Sequence, residues 1–501
     1  MNKMSLDDKN RSLAPLVITM ILILLNFGRQ AHAQTAPDNW WKNYGGMTHL
    51  FPQDETVGSQ SFAQMQAQLP ALYNDGIRTI LIYGPYSAGT QYDGLDAIDW
   101  FAPSTQGGTI AQFDSLVNAA HAQGMAVMVF IANEYLNPAN AVFSSAQGNP
   151  WAASYGYFIW KGVNPAPSQT PPAPFQFWFG NWDSLNVWDE WGPPSTYVTQ
   201  DLPALNFASS SFQSWCATVP QYWMSQGVDG VIFDAVEGDV NLNWPAVQAC
   251  MTGPVNAAGD GKNKLVVPEG SAGAPNNNLS QGGSTIWVTS GHFNGLIDYT
   301  IAGDHDPFKA ALNGNPTPIE TALASYRDPI VAAGGVTVTP VQSFADTGMS
   351  SAKKLLDVAL TTTIGTIPWV SYYSWTSYAW QTVLPAPYST YFFDLMTVQD
   401  DNAALGPAGA RKRVPTNADT KYYAYLRTSV DGTENVLCVL NFQNATKSIT
   451  VNLSRYSFPD QTPLILMDTT GDMNISGPAL SGTSYTVSLP AYGFAFYKLA
   501  K

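Results

Sequence analysis

One recurrence restricts this chain more than any other feature. A short apolar run, a polar or glycine-containing loop and a longer amphipathic stretch follow one another over roughly 350 residues. The apolar runs are 79–83, 126–132, 230–235, 265–268, 295–301, 336–344 and 367–373. Helical patterns lie between them at 62–73, 110–123, 212–225, 318–332 and 352–363. Strand-then-helix repetition predicts a parallel α/β architecture, and near eight units at this length predict a (β/α)8 TIM barrel. An open doubly wound sheet is the alternative. Against it, no Gly-x-Gly-x-x-Gly follows the first strand, and polar signals recur after many strands rather than at one switch point.

Two regions break the rhythm. Residues 134–205 are long, irregular and rich in proline and aromatics, among them Trp151, Trp160, Trp178 and Trp188. A stretch that long inside a compact domain is normally functional, and it reads as a subdomain inserted after the third strand. Its aromatics either pack a small core of their own or line a cleft. After about residue 405, alternating apolar residues at 435–442, 448–453 and 485–496 predict an antiparallel β domain, a sandwich. The expected organisation is therefore a leader at 1–33, a barrel at 34–133 and 206–405, an inserted subdomain at 134–205, and a C-terminal β-sandwich at 406–501.

The leader rests on Lys3, Lys9 and Arg11, an apolar run from Leu16 to Leu25, and Ala31-His32-Ala33. Those are the parts of a cleavable signal peptide cut after Ala33, so a secreted or periplasmic location is expected. An uncleaved anchor is the alternative, but the run is short for a transmembrane helix and no stable membrane anchor is expected. In an oxidising compartment Cys216 and Cys250 could pair; equally, all three cysteines, Cys438 included, read as buried small hydrophobes. There is no Cys-x-x-Cys and the histidines are scattered, so no zinc site is expected.

Charge narrows the partners. The chain of 501 residues holds 22 Lys+Arg against 37 Asp+Glu, a net charge of -15. A nucleic-acid binder needs the opposite sign, and an anionic membrane surface is disfavoured for the same reason. Charged residues are only 12% while aromatics reach 13%. That balance suits a neutral ligand with C–H faces to stack and hydroxyls to bond, and sugars are such ligands.

In barrels, catalytic groups come from the ends of several strands. Carboxylates placed directly after apolar runs are Asp234 in Gly-Val-Ile-Phe-Asp-Ala, Glu269 in Leu-Val-Val-Pro-Glu-Gly, and Asp346 in Phe-Ala-Asp, with Asp96 after the second strand. One such residue would read as a helix cap; three or four in a chain this poor in charge read as a convergent acidic site. Paired carboxylates around a cleft are the equipment of glycoside hydrolysis.

These segments resemble those of the α-amylase family, glycoside hydrolase family 13, over essentially the whole chain after the leader. Gly227 to Val236 is similar to the stretch entering that family's fourth strand, which makes Asp234 the nucleophile. Glu269 falls where the family has its general acid/base. Phe344-Ala345-Asp346-Thr347 resembles the segment of the transition-state-stabilising aspartate, Asp346. Gly94-Leu95-Asp96 with Trp100 resembles the segment at the −1 sugar subsite, and Gly124 to Tyr135 resembles the third-strand segment. Asp96, Trp100 and Tyr135 are thereby implied as substrate-binding residues. Segments 365–368 and 489–493 resemble the eighth strand and the last strand of the C-terminal domain. The resemblance implies a barrel, an inserted subdomain and a C-terminal β domain.

The departures are specific. The arginine that the family places two residues before the nucleophile is Ile232, and the histidine before the stabilising aspartate is Ala345. The third-strand aspartate, asparagine and histidine are Phe130, Glu134 and Tyr135, and the subsite tyrosine is Leu95. Tyr135 or a backbone N–H is the expected replacement that keeps Asp234 ionised, with the Asp234 and Glu269 carboxyl groups about 5–5.5 Å apart. The expected activity is a retaining α-glycoside hydrolase acting on α-glucans or α-linked oligosaccharides. The alternatives are a transglycosidase of the same family or a degenerate carbohydrate-binding protein. No cofactor and no metal is expected. Structural calcium is common in the family, but the loop carrying Asp54 and Glu55 lacks an Asp-x-Asn-x-Asp pattern. Asp304-His305-Asp306 reads as a solvated loop.

Overall fold

The first and last strands of the barrel pair in parallel, Met47 beside Trp369 and Thr48 beside Val370, and that pairing decides the architecture. The computed structural model describes residues 36–53, 59–89, 94–160, 202–236, 242–258, 264–269, 285–301, 306–341, 349–370 and 388–501. In chain order its strands begin with β1 (Gly46–Leu50), β2 (Ile77–Tyr83), β3 (Tyr86–Ala88), β4 (Ala97–Pro103) and β5 (Ala126–Ile131). They continue with β6 (Gly230–Phe233), β7 (Leu265–Pro268), β8 (Gly295–Ile297), β9 (Val336–Val341) and β10 (Ile367–Val370). The large sheet runs β7-β6-β5-β2-β1-β10-β9-β8, with β3 and β4 a separate antiparallel hairpin. Each barrel strand lies beside its sequence neighbour and the first beside the last. That closed order belongs to a (β/α)8 barrel and not to a doubly wound sheet.

The remaining joint, between β7 and β8, is closed by a side chain. The Asn294 N–H donates to Val266 O at 3.2 Å, Val266 N–H donates to Asn294 Oδ1 at 2.6 Å, and Asn294 Nδ2 donates to Lys264 O at 2.8 Å. Gly295 is needed at this seam, because a Cβ there would sit 2.8 Å from Val267 Cγ2.

Period-two alternation sorts the strand residues into two shells. Met47, Leu81, Phe130, Ile232, Val267 and Val338 fill the barrel interior. Ile80, Ile82, Val127, Val129, Val231 and Phe233 point out into the core under the helices. The helices Phe62–Asn74 and Ile110–Ala122 start at capping boxes, Ser61 with Gln64 and Thr109 with Gln112. Two expected helices are each broken. The stretch 212–225 is Ser210–Cys216 and Thr218–Ser225, and 318–332 is Thr317–Ser325 and Arg327–Ala332. Pro220 and Pro329 lack the N–H that would bond Cys216 O and Ser325 O four residues back.

Only parts of the inserted region, 134–160 and 202–205, are among the described residues. Tyr135 bridges Ala204 and Phe158 bridges Leu205, which ties the region's two ends together. Tyr155 stacks on Trp160 with centroids 4.7 Å apart, and Phe143 packs on Phe158; these rings are continuous with the core under the helices. Trp178 and Trp188 lie outside the described residues, as does the leader at 1–33. Cys216 and Cys250 are buried free thiols hydrogen-bonded to each other; that bond, with burial, pushes the Cys216 thiol up.

The C-terminal strands are β11 (Ala410–Arg413), β12 (Tyr422–Thr428), β13 (Asn435–Asn441), β14 (Lys447–Asn452), β15 (Leu464–Asp468), β16 (Ile475–Ser476), β17 (Ser484–Leu489) and β18 (Phe494–Leu499). They form an antiparallel sheet β11-β12-β13-β18-β15-β16 and a ladder β14-β17. Tyr422, Ala424 and Leu426 pack with Ile449, Val451 and Tyr485 of the ladder. Tyr423, Tyr425, Val436 and Cys438 on the other face join the barrel's outer core. Two buried arginines lock this contact. Arg327 donates to the carbonyls of Gly365, Pro407 and Gly409, and Arg427 to those of Ala404, Ile364 and Gly406. Gly365, at φ +89°, leaves room for both guanidinium groups.

Candidate active site

Three carboxyl groups converge where β5, β6 and β7 end. Asp234 follows β6 directly and its N–H bonds Ile131 O at 2.9 Å, so the ladder itself fixes its Cα. Glu269 follows β7, and its N–H bonds Phe233 O at 2.6 Å. Glu134 lies three residues past β5, 2% exposed, with Oε2 accepting the Asn133 N–H at 2.8 Å. The Asp234 carboxyl is hydrogen-bonded to those of both Glu134 and Glu269. Glu269 Oε1 also accepts the Tyr299 hydroxyl at 2.9 Å, and its Oε2 accepts the Ala235 N–H at 3.4 Å. Ala235 holds φ at 39°, a left-handed value unusual for a residue with a Cβ, at the turn that presents this N–H.

Carboxyl groups in contact cannot all be ionised in a buried setting. Burial pushes Asp234 well above the usual carboxylate range, and the charges of Glu134 and Glu269 add to it. Burial likewise raises Glu134, which its hydrogen bond to Asp234 partly offsets. Tyr135 is fully buried beside the cluster; burial pushes its phenol up, and the charges of Glu134, Asp234 and Asp96 act in the same direction. Where a Tyr135 or backbone donor was expected to keep Asp234 ionised, burial and the neighbouring acids favour its protonated form. The Asp234 and Glu269 carboxyl groups lie within hydrogen-bonding reach of each other. The cause lies in the neighbours. Ile232 and Phe130, both fully buried, offer no cation to separate or neutralise the acids.

The other expected site residues divide. Asp96 is 1% exposed and its Oδ2 accepts from Asn137 Nδ2 at 2.7 Å, close enough to the cluster to act on Tyr135. Trp100 does not join it. Its ring packs against Trp215 at 5.1 Å, and its carbonyl accepts from Trp223 Nε1, so it belongs to the core under the helices. Trp100 lies on β4, whose alternation sends that side chain inward to the helical layer, and a sugar-binding role for it is corrected here. Asp346 lies outside the described residues, as do Asp54, Glu55, Asp304 and His305.

Several residues at the site were not expected from the sequence. Glu134 was noted only as a departure. Tyr299 stands two residues past β8, and Tyr86 anchors the end of β5 by accepting the Ala132 N–H at 3.1 Å. An aromatic group lies at the neighbouring strand ends. Phe130 stacks on Tyr83 with centroids 4.0 Å apart, and His49 accepts from Trp369 Nε1 at 2.9 Å. Burial pushes His49 down to about 3, so it stays neutral and can accept that bond. For Tyr299, Tyr83, Phe130, His49 and Trp369 the signal was their place, a polar or aromatic side chain within two residues of a strand end; Glu134, three residues past β5, had none. Among the described residues, no group of three or more His, Cys, Asp or Glu could hold a metal ion, and no helix is long and apolar enough to cross a membrane.

Residues 31–253 match the family model for the alpha amylase catalytic domain, and residues 413–496 match that for the maltogenic amylase C-terminal domain. The oligo-1,6-glucosidase of Heyndrickxia coagulans is 24% identical over 207 residues, 39% of this chain and 36% of that protein. The amino acid transporter heavy chain SLC3A1 of Rattus norvegicus is 25% identical over 210 residues, 40% of this chain and 30% of that protein. The matched stretches thus span about a third of these curated relatives. The alpha-amylase from H. orenii superimposes with a TM-score of 0.70 at 14% identity, covering 91% of this chain and 99% of that one. At that identity the likeness is one of fold.

Proposed function

The chain belongs to the α-amylase family, and from this premise we propose that it is a retaining glycoside hydrolase acting on α-glucans or α-linked oligosaccharides. The observation that supports this most is the pairing of Asp234 and Glu269 at adjacent strand ends, one hydrogen-bonded to the other. In the proposed reaction Asp234, as carboxylate, attacks the anomeric carbon while Glu269 gives its proton to the leaving oxygen. The C–O bond breaks and a glycosyl ester forms on Asp234. Glu269 then takes a proton from water, which displaces the ester and regenerates both acids. By the family resemblance Asp346 would stabilise the transition state. Asp234 must lose its shared proton before it attacks, so turnover should rise as pH leaves the acidic range.

The test is to trap the ester. A fluorinated glycosyl substrate should label Asp234, and Asp234→Asn should lose several orders of magnitude in rate. Hydrolysis unchanged in the Asn variant would refute the assignment. A carbohydrate-binding protein is the second reading, favoured by the burial and neighbouring acids that raise Asp234. Oligosaccharide binding without turnover of any α-glycoside would support it. We further propose export with cleavage after Ala33, which N-terminal mass spectrometry would show as a new start at Gln34.

A further inference from the structure

We propose that the sugar cleaved here carries a free, protonated amino group beside its anomeric carbon, and that the ammonium seats between Glu134 and Asp234. The inference rests on the hydrolase reading above and names the substrate class of that site.

The cluster is short of positive charge. Glu134, Asp234 and Glu269 are in mutual contact through Asp234, with Asp96 close by. Among the described residues, no ion pair joins a lysine, arginine or histidine to Glu134, Asp234 or Glu269. The position from which an arginine would reach the nucleophile is Ile232, sealed in the barrel interior. The sequence extends the imbalance. Consider the connections from each barrel strand to the helices beginning at Phe62, Ile110, Ser210, Trp244, Thr285, Asp306, Ser351 and Tyr388. They contain one lysine, Lys161, one histidine, His305, and no arginine, against seventeen Asp and Glu. A composition with that excess of carboxylates favours cations over anions.

Hydrogen-bond inventory gives the same answer. Ionised carboxylates only accept, whereas sugar hydroxyls both donate and accept and carry no charge. An ammonium only donates, has three N–H groups and brings the missing charge. Glu134 is the acid that fits it. It is 98% shielded from solvent, its Oε2 is used by the Asn133 N–H, and its carboxyl touches the nucleophile. The nitrogen on the carbon next to the anomeric centre is two bonds from the atom that Asp234 attacks, so one ammonium there can reach both acids. Its arrival releases the shared proton to solvent and leaves Asp234 as the carboxylate that the displacement needs.

The experiment compares aryl α-D-glucosaminide and α-D-galactosaminide with their N-acetylated forms and with the neutral aryl α-glucoside and α-galactoside, using the full secreted protein. A free-amine substrate should have the highest kcat/KM, by about tenfold or more over its neutral and acetylated counterparts, and the advantage should shrink as salt is added. Glu134→Gln should reduce that preference, with folding checked by circular dichroism; the wild-type salt dependence stands independently of that variant. Equal or better hydrolysis of the neutral glycosides would overturn this proposal and leave the hydrolase reading intact. A preference that Glu134→Gln leaves unchanged would overturn the seat. No hydrolysis of any of these glycosides would overturn both.

Discussion

Glu134 and Asp234 are joined by a hydrogen bond between two buried carboxyl groups, one from the end of β5 and one from the end of β6. The strands that carry them are adjacent in the ladder, Ile131 beside Phe233, so the contact is imposed by register. A pair bound in this way titrates as a unit.

The rate should show this first. With Asp234 raised by burial and by Glu134, the acid limb of kcat/KM should lie above the usual carboxylate range. Glu134→Gln removes one of those charges, so the limb should move to lower pH. A limb that stays in place in the variant would mean that Glu134 does not govern Asp234, the proposed nucleophile.

Stability should depend on the same pair. Carboxyls raised on folding stabilise the native state fully below their unfolded values, about 4. That contribution is lost as pH rises through their folded values. Thermal melts should therefore place Glu134→Gln above the wild type at alkaline pH, by about 1–3 kcal/mol, with the gap closing near pH 4. A gap that widens on acidification would contradict the shared proton.

Tyr299 gives a third expectation. Its hydroxyl donates to Glu269 Oε1 at 2.9 Å, a bond that orients the proposed acid. Tyr299→Phe should lower kcat by about tenfold, the worth of one hydrogen bond, with little change in melting temperature. An unchanged kcat would show that other contacts position Glu269.

Arg427 tests the joint between barrel and sheet. Its fully buried guanidinium serves three main-chain carbonyls, at 3.1, 2.8 and 2.6 Å. Arg427→Met would leave those acceptors buried and unpaired, at a cost of about 3 kcal/mol or more in urea denaturation. A loss under 1 kcal/mol would mean that the carbonyls find other donors.

The barrel was legible because its period-two and helical patterns survive in sequence, and Leu265–Pro268 is bounded as expected. β1 was not among the expected runs. Gly46–Leu50 contains a glycine, a threonine and a histidine, and owes its place to β2 and β10 on either side. Asp234 and Glu269 were legible from their positions after apolar runs. Glu134 was not, because a carboxylate three residues past a strand end carries no local mark of what it will touch. Trp100 misled for a related reason, since resemblance gives a position in the chain and the pleat decides which way the ring points.

The seam at Asn294 bears on how this barrel comes apart. Elsewhere each joint is a run of main-chain bonds that break together, whereas here a single amide side chain supplies two of the three links. Thermal opening therefore has a preferred starting line. Amides flanking the joint should exchange with solvent deuterium sooner than those of β2 and β5, which are flanked by paired neighbours on both sides. Glu269 emerges from β7 along that line, so the segment that carries the proposed acid is also the part of the ring most easily unzipped.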